Sequence, residues 1–450
     1  MRLLASILVV GFLAATTSAQ SALTPIQFSD TRLSNGLRVI ISEDHYAPVY
    51  AIAVSYAVGS KDERAGRTGF AHLFEHMMFK GSENIGSGEH FFLVFNYGGS
   101  MNGTTNTDRT LYFEIMPKNQ LDLGLFLESD RMKSLAITKD NLDNQRNAVQ
   151  EERRLRLDNQ PYGKSQERFN EMAYDNFAYK HSVIGSMDDL NAATVDDVAG
   201  FFKTYYAPNN AVLSLVGDLD TKTTLAKVEK FFGGIPRQPA PKPVDLSEKE
   251  LTAERRETMT DPLARVPQIN MGYRIPPATH ADWPALSVLG QILGSGDSSR
   301  LYLMAVKEKE LCTGTGAGSG ARMGPGLFNV TCGVRAGKDI KEAEAAMNAV
   351  LDAAATAPVT EQELQRVRAS ARRSDVGMRE SVLNRAQSLA DYAALYNDPN
   401  RINTLSARLS AVTAADVQRV ARTYLRTTNR VVMHTLPGAG TPPAPPAQSR

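Results

Sequence analysis

Cysteine is nearly absent from this chain. Cys312 and Cys332 are the two among 450 residues, so a disulfide framework cannot be the source of the fold. They flank a glycine-rich stretch that reads as a hairpin loop. Two outcomes stay open for them: one bridge in an oxidising compartment, or two buried thiols serving as small core residues. A surplus of either charge is also lacking, since 50 Lys and Arg stand against 49 Asp and Glu for a formal net charge of +1. The arginine-rich stretches are interleaved with Glu and Asp as on solvated helices, which leaves no electrostatic case for nucleic acid or a membrane surface. Long apolar runs are missing as well: no stretch after the start approaches the roughly 20 apolar residues of a membrane helix.

The start itself is distinctive. Met1-Arg2, the apolar run Leu3 to Leu13 and the small residues ending Thr17-Ser18-Ala19 have the parts of a signal peptide, residues 1–20. The run is too short for a mature anchor, and the leader has no cysteine to carry a lipid. A periplasmic or secreted product with no membrane contact after leader removal is expected, a retained amino-terminal anchor being the alternative. Length alone suggests two or three domains at about 150 residues each, and the 42% hydrophobic content supplies an ample core.

Histidine is scarce, yet two of the 7 stand four residues apart in His72-Leu73-Phe74-Glu75-His76. At 3.6 residues per turn His72 and His76 lie one above the other, with Glu75 a near neighbour on the same side. Phe70, Leu73, Phe74, Met77 and Met78 recur at the spacing of an amphipathic helix, so the polar trio faces away from the apolar stripe. The pattern reads as two metal ligands and a general base, or more plainly as two surface histidines beside a glutamate. A catalytic zinc site takes three protein ligands and keeps one open position. A candidate third ligand lies on the helix predicted from Asn141 to Leu155 and stopped by Asp158-Asn159-Gln160-Pro161. There Leu142, Gln145, Ala148, Val149 and Glu152 share a face, which Glu151 does not. A carboxylate on a packing face is costly without a partner, and a metal would supply one; the plainer reading is a glutamate on a solvated Arg/Glu-rich helix.

His-x-x-Glu-His with a glutamate 76 positions further on resembles the inverzincin arrangement of the pitrilysin/insulinase family, which includes the mitochondrial processing peptidases. The resemblance implies a zinc-dependent endopeptidase with His72, His76 and Glu152 as zinc ligands and Glu75 as general base. Gln145-Arg-Asn-Ala-Val-Gln-Glu-Glu152 is similar to the family's Glu-Arg-x-x-Val-x-x-Glu. Gln145 stands where the family has an acid, and an amide there can still orient a ligand by hydrogen bonding. Gly98-Gly99-Ser-Met-Asn102-Gly-Thr-Thr-Asn-Thr-Asp108-Arg-Thr110-Leu-Tyr112 is similar to the family's substrate-binding edge strand, which makes Asn102 the candidate contact for a peptide backbone. Taken alone that run is a glycine turn and a short strand, as in any hairpin. Glu128-Ser-Asp-Arg-Met132 resembles the family's helix ahead of the ligand glutamate.

Internal repetition organises the whole. Thr194-Val-Asp-Asp-Val198, Thr204-Tyr205, Asn210 and Val212 match Thr413-Ala-Ala-Asp-Val417, Thr423-Tyr424, Asn429 and Val431 at a constant offset of 219 residues. Each copy reads as helix, polar turn and strand. The expected fold is α+β, built of two homologous halves of mostly antiparallel sheet and flanking helices, residues 24–235 and 255–438. A proline-rich linker spans 236–254, and a disordered tail 439–450. The family resemblance implies that such halves face each other across a chamber. The helix Leu286 to Leu293 of the second half has no histidine or acid, so only the first half can bind metal there. Glycine-rich Gly294 to Tyr302 resembles the family's Ser-Ser-Arg-Leu segment, or simply a glycine cap before a new helix. One departure concerns partners. Many relatives carry an arginine and, seven residues later, a tyrosine, and Val306 to Thr313 holds neither. A homologous partner subunit is therefore expected, as a heterodimer or a homodimer, acting on peptide substrates. Zinc follows from ligand type, although the same ligands would accept manganese or cobalt.

Overall fold

A computed structural model describes residues 23–438. The expected signal peptide 1–20 and the expected disordered tail 439–450 lie outside the described residues. Among the described residues eleven strands form two sheets. The first contains β1 (Ser29–Arg32), β2 (Arg38–Glu43), β3 (Val49–Tyr56), β4 (Ser100–Thr105), β5 (Thr110–Pro117) and β6 (Ala211–Gly217). Their spatial order is β1-β2-β6-β3-β5-β4, with β2 and β6 parallel and all other neighbours antiparallel. The second sheet contains β7 (Arg255–Asp261), β8 (Gln268–Ile275), β9 (Cys312–Ser319), β10 (Gly326–Val334) and β11 (Arg430–Pro437). It runs β7-β11-β8-β10-β9, with β7 and β11 parallel and all other neighbours antiparallel. The two sheets thus repeat one five-stranded order, with β4 and β9 at equivalent edges.

The repeated sequence segments form equivalent structures. Thr194 and Thr413 each open a helix with a capping box, completed by Asp197 and Asp416. In each copy the asparagine after the helix donates from Nδ2 to a tyrosine carbonyl, Asn210 to Tyr205 and Asn429 to Tyr424, both at 2.9 Å. Such a box satisfies two backbone donors left unpaired at a helix start. The cysteines are joined as a disulfide across the β9–β10 hairpin, one of the two outcomes open from sequence.

Apolar sequence becomes core on both faces of each sheet. Strands β3 and β6 are buried almost throughout, as unbroken apolar strands are when both faces are covered. Five helices position the site: α1 (Phe70–Met77), α2 (Glu89–Asn96), α3 (Leu121–Lys133), α4 (Lys139–Arg153) and α5 (Gly163–Ala173). Helices α1 to α4 join the first half's main core. Two covering helices are exchanged between the halves. Phe169, Met172 and Ala173 of α5 pack with Leu327, Val431 and Met433 of the second sheet. In return Ala386, Leu389, Ala390 and Ala393 of the helix Val382–Tyr396 pack on Ile40, Ala51, Ala53, Val212 and Val216 of the first. Residues 236–254 form neither helix nor strand, and Glu248 within them accepts from the backbone N–H groups of Asp175 and Asn176. No helix among the described residues is long and apolar enough to cross a membrane.

Candidate metal centre

Helix α1 begins at Gly69, whose φ of 83° lies in the left-handed region. A Cβ there would come within 2.5 Å of the Ile184 carbonyl oxygen, so the position admits glycine alone. The buried Glu63 carboxylate accepts from Gly69 N and Ala71 N, both at 2.8 Å. Burial holds its pKa well above the ordinary range, against the pull of those two donors. With the start fixed, Phe70, Leu73, Phe74 and Met77 enter the core and His72 and His76 project toward α4. Leu142, Gln145 and Val149 bury the facing side of α4, which turns Glu152 inward. Arg153 next to it is clamped by both oxygens of Glu167, each at 2.8 Å.

His72, His76 and Glu152 therefore converge. His72 Nε2 and His76 Nε2 lie 3.6 Å and 3.3 Å from Glu152 Oε2, and one donor atom from each residue falls within 4.8 Å of the others. These separations exceed ordinary hydrogen bonds, about 2.7–3.2 Å. They match the edge of a tetrahedron around an ion bonded at about 2.0–2.2 Å, which is roughly 3.3 Å. Burial lowers both imidazoles, His72 to about 3 with help from the fields of His76 and Arg156, and His76 against the opposing pull of Glu152. Both rings are thus neutral electron-pair donors at physiological pH, the form that binds metal. Gln145 raises the His76 pKa from alongside, and its Nε2 donates to Asn144 Oδ1 at 2.5 Å. The Nδ1 atom of His72 is buried without a partner.

Glu75 is 9% exposed and sits on the same helix. Burial raises its pKa, and a hydrogen bond from Thr105 lowers it. Thr105 Oγ1 donates to Glu75 Oε2 at 2.6 Å. Two residues earlier, a Cβ on Gly103 would meet Glu75 Cγ at 3.0 Å and the Phe79 ring at 3.3 Å, so a bare backbone lets β4 pass close over the acid. Among the described residues strand β4 pairs with β5 alone and stands at the edge of the sheet. Asn102 stands exposed on this edge strand, its side-chain oxygen accepting from Gly103 N at 2.8 Å; it is not among the converging donors. Strand alternation places Gly103 and Thr105 on one face, which is the signal that identifies Thr105 from sequence. No comparable local pattern marks Glu63.

A second buried group, His90, Glu114 and Glu128, also brings its donor atoms together. Here His90 Nε2 lies 2.7 Å from Glu114 Oε1, a hydrogen-bond distance. Arg131 pairs with Glu128 and lies over the Tyr112 ring at 4.4 Å. This is a hydrogen-bonded charge network rather than a second ion site.

An α/β chain of two repeated sheets, with His-x-x-Glu-His on one helix and a glutamate on another, has the build of a metallopeptidase. Residues 38–186 match the family profile described as Insulinase (Peptidase family M16), and residues 192–371 that described as Peptidase M16 inactive domain. The chain belongs to this insulinase family of peptidases. It is 29% identical over 438 residues to the zinc protease PqqE of Helicobacter pylori, covering 96% of this chain and 98% of that one. A crystal structure of a protease from Helicobacter pylori superposes with a TM-score of 0.88 at 28% identity, covering 92% of this chain and 100% of that one. The periplasmic protease PqqL of Escherichia coli shares the fold at 21% identity and TM-score 0.75, with 94% of this chain covering 50% of that one.

Proposed function

We propose that this chain is a zinc-dependent endopeptidase of the periplasm or extracellular space that hydrolyses peptides and unfolded protein segments. The observation that carries the reading is the convergence of three electron-pair donors at metal-ligand spacing beside a buried, tethered carboxylate. His72, His76 and Glu152 would hold the ion, with Gln145 orienting His76. Bound there, zinc supplies Lewis acidity that acidifies a water and polarises the scissile carbonyl. Glu75 takes the proton of the attacking water and returns it to the leaving amine as the carbon–nitrogen bond breaks. Burial raises its pKa, which makes it the stronger base for the first step. The free edge of β4 offers backbone groups to a peptide laid down as an added strand, with Asn102 in reach of its main chain. The signal-like leader and the periplasmic relative support the location.

A partner-dependent or non-catalytic zinc-binding subunit is the second reading. It is favoured by the absence of arginine and tyrosine from Val306 to Thr313. On that basis we propose a dimer with a homologous subunit, a heterodimer ahead of a homodimer. The test is cleavage of an unstructured quenched peptide by Glu75→Gln and by the unaltered chain. Zinc retained with hydrolysis abolished supports the mechanism; turnover in Glu75→Gln rejects it. Silence of the zinc-loaded chain until a homologous partner is added supports the second reading.

A further inference from the structure

The turn joining β4 to β5, residues 106–109, is held from the second half of the chain at two points. Asp391, on the helix Val382–Tyr396, places its carboxylate 3.1 Å from Arg109 Nε and accepts from Ser55 Oγ at 2.9 Å. Arg109 Nη1 in turn donates to the Thr104 carbonyl at 2.9 Å and to its hydroxyl at 2.7 Å. Thr105, the next residue, is the donor to Glu75. The second tether ends on Asp108, which is 5% exposed. Its carboxylate accepts from Met323 N at 3.1 Å and from the Tyr179 hydroxyl at 2.8 Å, and that hydroxyl accepts from Gly324 N at 2.7 Å. Arg322, beside these two residues in the β9–β10 loop, lies over the rings of Tyr174 and Tyr179 at 4.8 Å and 4.7 Å.

We infer that the second half is a positioning element for Glu75, with Asp391 acting through Arg109 and the β4–β5 turn to place the Thr105 hydroxyl. The inference rests on the peptidase reading and extends it. The half without metal ligands sets the geometry of the general base in the other half. Among the described residues strand β4 pairs with β5 alone, Thr104 and Thr105 standing opposite Leu111 and Thr110. The turn that follows is also held by Ser60 N and Lys61 N on the carbonyls of Asn106 and Thr107, and Arg109 is what carries the Asp391 contact from that turn back onto Thr104. The Asp391–Arg109 pair is 23% and 14% accessible, sheltered enough to hold one geometry, and the Thr104 contacts carry that geometry onto the strand. Because an oriented base loses effectiveness with small misplacement, a loosened turn reduces turnover while leaving the peptide-binding edge in being.

The test compares Asp391→Ala, Asp391→Glu and a control, Arg385→Gln, in the full chain with zinc. Arg385 lies on the same helix and pairs with Asp44, remote from the turn. Asp391→Ala should lower kcat on an unstructured quenched peptide about tenfold at unchanged KM. It should also speed amide exchange over residues 100–110, and Asp391→Glu should restore both. Arg385→Gln should alter neither. Unchanged kcat or unchanged exchange in Asp391→Ala, or an equal effect of Arg385→Gln, overturns the inference. If the unaltered chain shows no cleavage dependent on zinc and Glu75, the peptidase reading fails separately, and the exchange measurement still decides the tether.

Discussion

Thr105→Val removes one hydroxyl while keeping the side chain's shape, and it addresses the base without touching a metal ligand. The bond lost is the one from Thr105 Oγ1 to Glu75 Oε2, 2.6 Å long. Glu75 is 9% exposed, so there is little room for water to replace the donor. A hydrogen bond to an ionised group contributes about 1.5–3 kcal/mol, and about 1.4 kcal/mol is one decade of proton affinity. The ionised fraction of Glu75 on the acid side should therefore fall by roughly one to two decades. The sign is set by the site. Burial raises the Glu75 pKa and Thr105 opposes it, so removing Thr105 raises it further. Since the base acts in its ionised form, the acid limb of kcat/KM moves to higher pH, and since Thr105 also orients the carboxylate, the alkaline plateau falls as well. The assay is quenched-peptide cleavage from about pH 5 to about pH 9. An acid limb that does not move refutes the placement of Thr105 on the base.

Two further outcomes concern the scaffold. Glu63→Gln replaces one of the two carboxylate oxygens that cap α1 with a donor facing backbone N–H groups. It should destabilise the protein by about 1–3 kcal/mol in urea unfolding and weaken zinc retention, because His72 lies in the first turn of α1. Unaltered stability would show that the cap is not needed. Burial, opposed by Arg131 and reinforced by Glu114, pushes Glu128 up to about 7. The folded state then binds this proton more tightly than the unfolded chain, so the contribution is present at low pH and is lost as pH rises from the ordinary carboxylate range through about 7. Unfolding free energies measured across that window should decline more steeply in the unaltered protein than in Glu128→Gln; parallel curves would contradict the shift.

What was legible in the sequence was what short-range geometry determines. His72, Glu75 and His76 are brought to one side of a helix by spacing alone, and Glu152 by the apolar face it shares with Leu142 and Val149. The helix, turn and strand repeated at Thr194 and Thr413 were readable because capping residues and strand starts keep fixed offsets. The repeat of a whole five-stranded order was only suggested, since β7 and β9 carry no sequence echo of β2 and β4. Long-range choices were hidden. Phe169 and Met172 mark an apolar face on α5 without saying which sheet it covers, so the exchange of α5 and the helix Val382–Tyr396 could not be read. Spacing left Cys312 and Cys332 open between a bridge and two thiols, and strand pairing brings them together. Glu63, Arg109 and Asp391 look like ordinary charged residues until tertiary structure gives each its partner.

Metal content of the purified protein together with X-ray absorption at the zinc edge tests whether His72, His76 and Glu152 hold one ion. One zinc per chain is expected, with nitrogen and oxygen ligands at about 2.0–2.2 Å, lost in Glu152→Ala and in His76→Ala. A folded protein that takes up no zinc, or one that keeps it unchanged in both variants, would show that these three residues do not bind it.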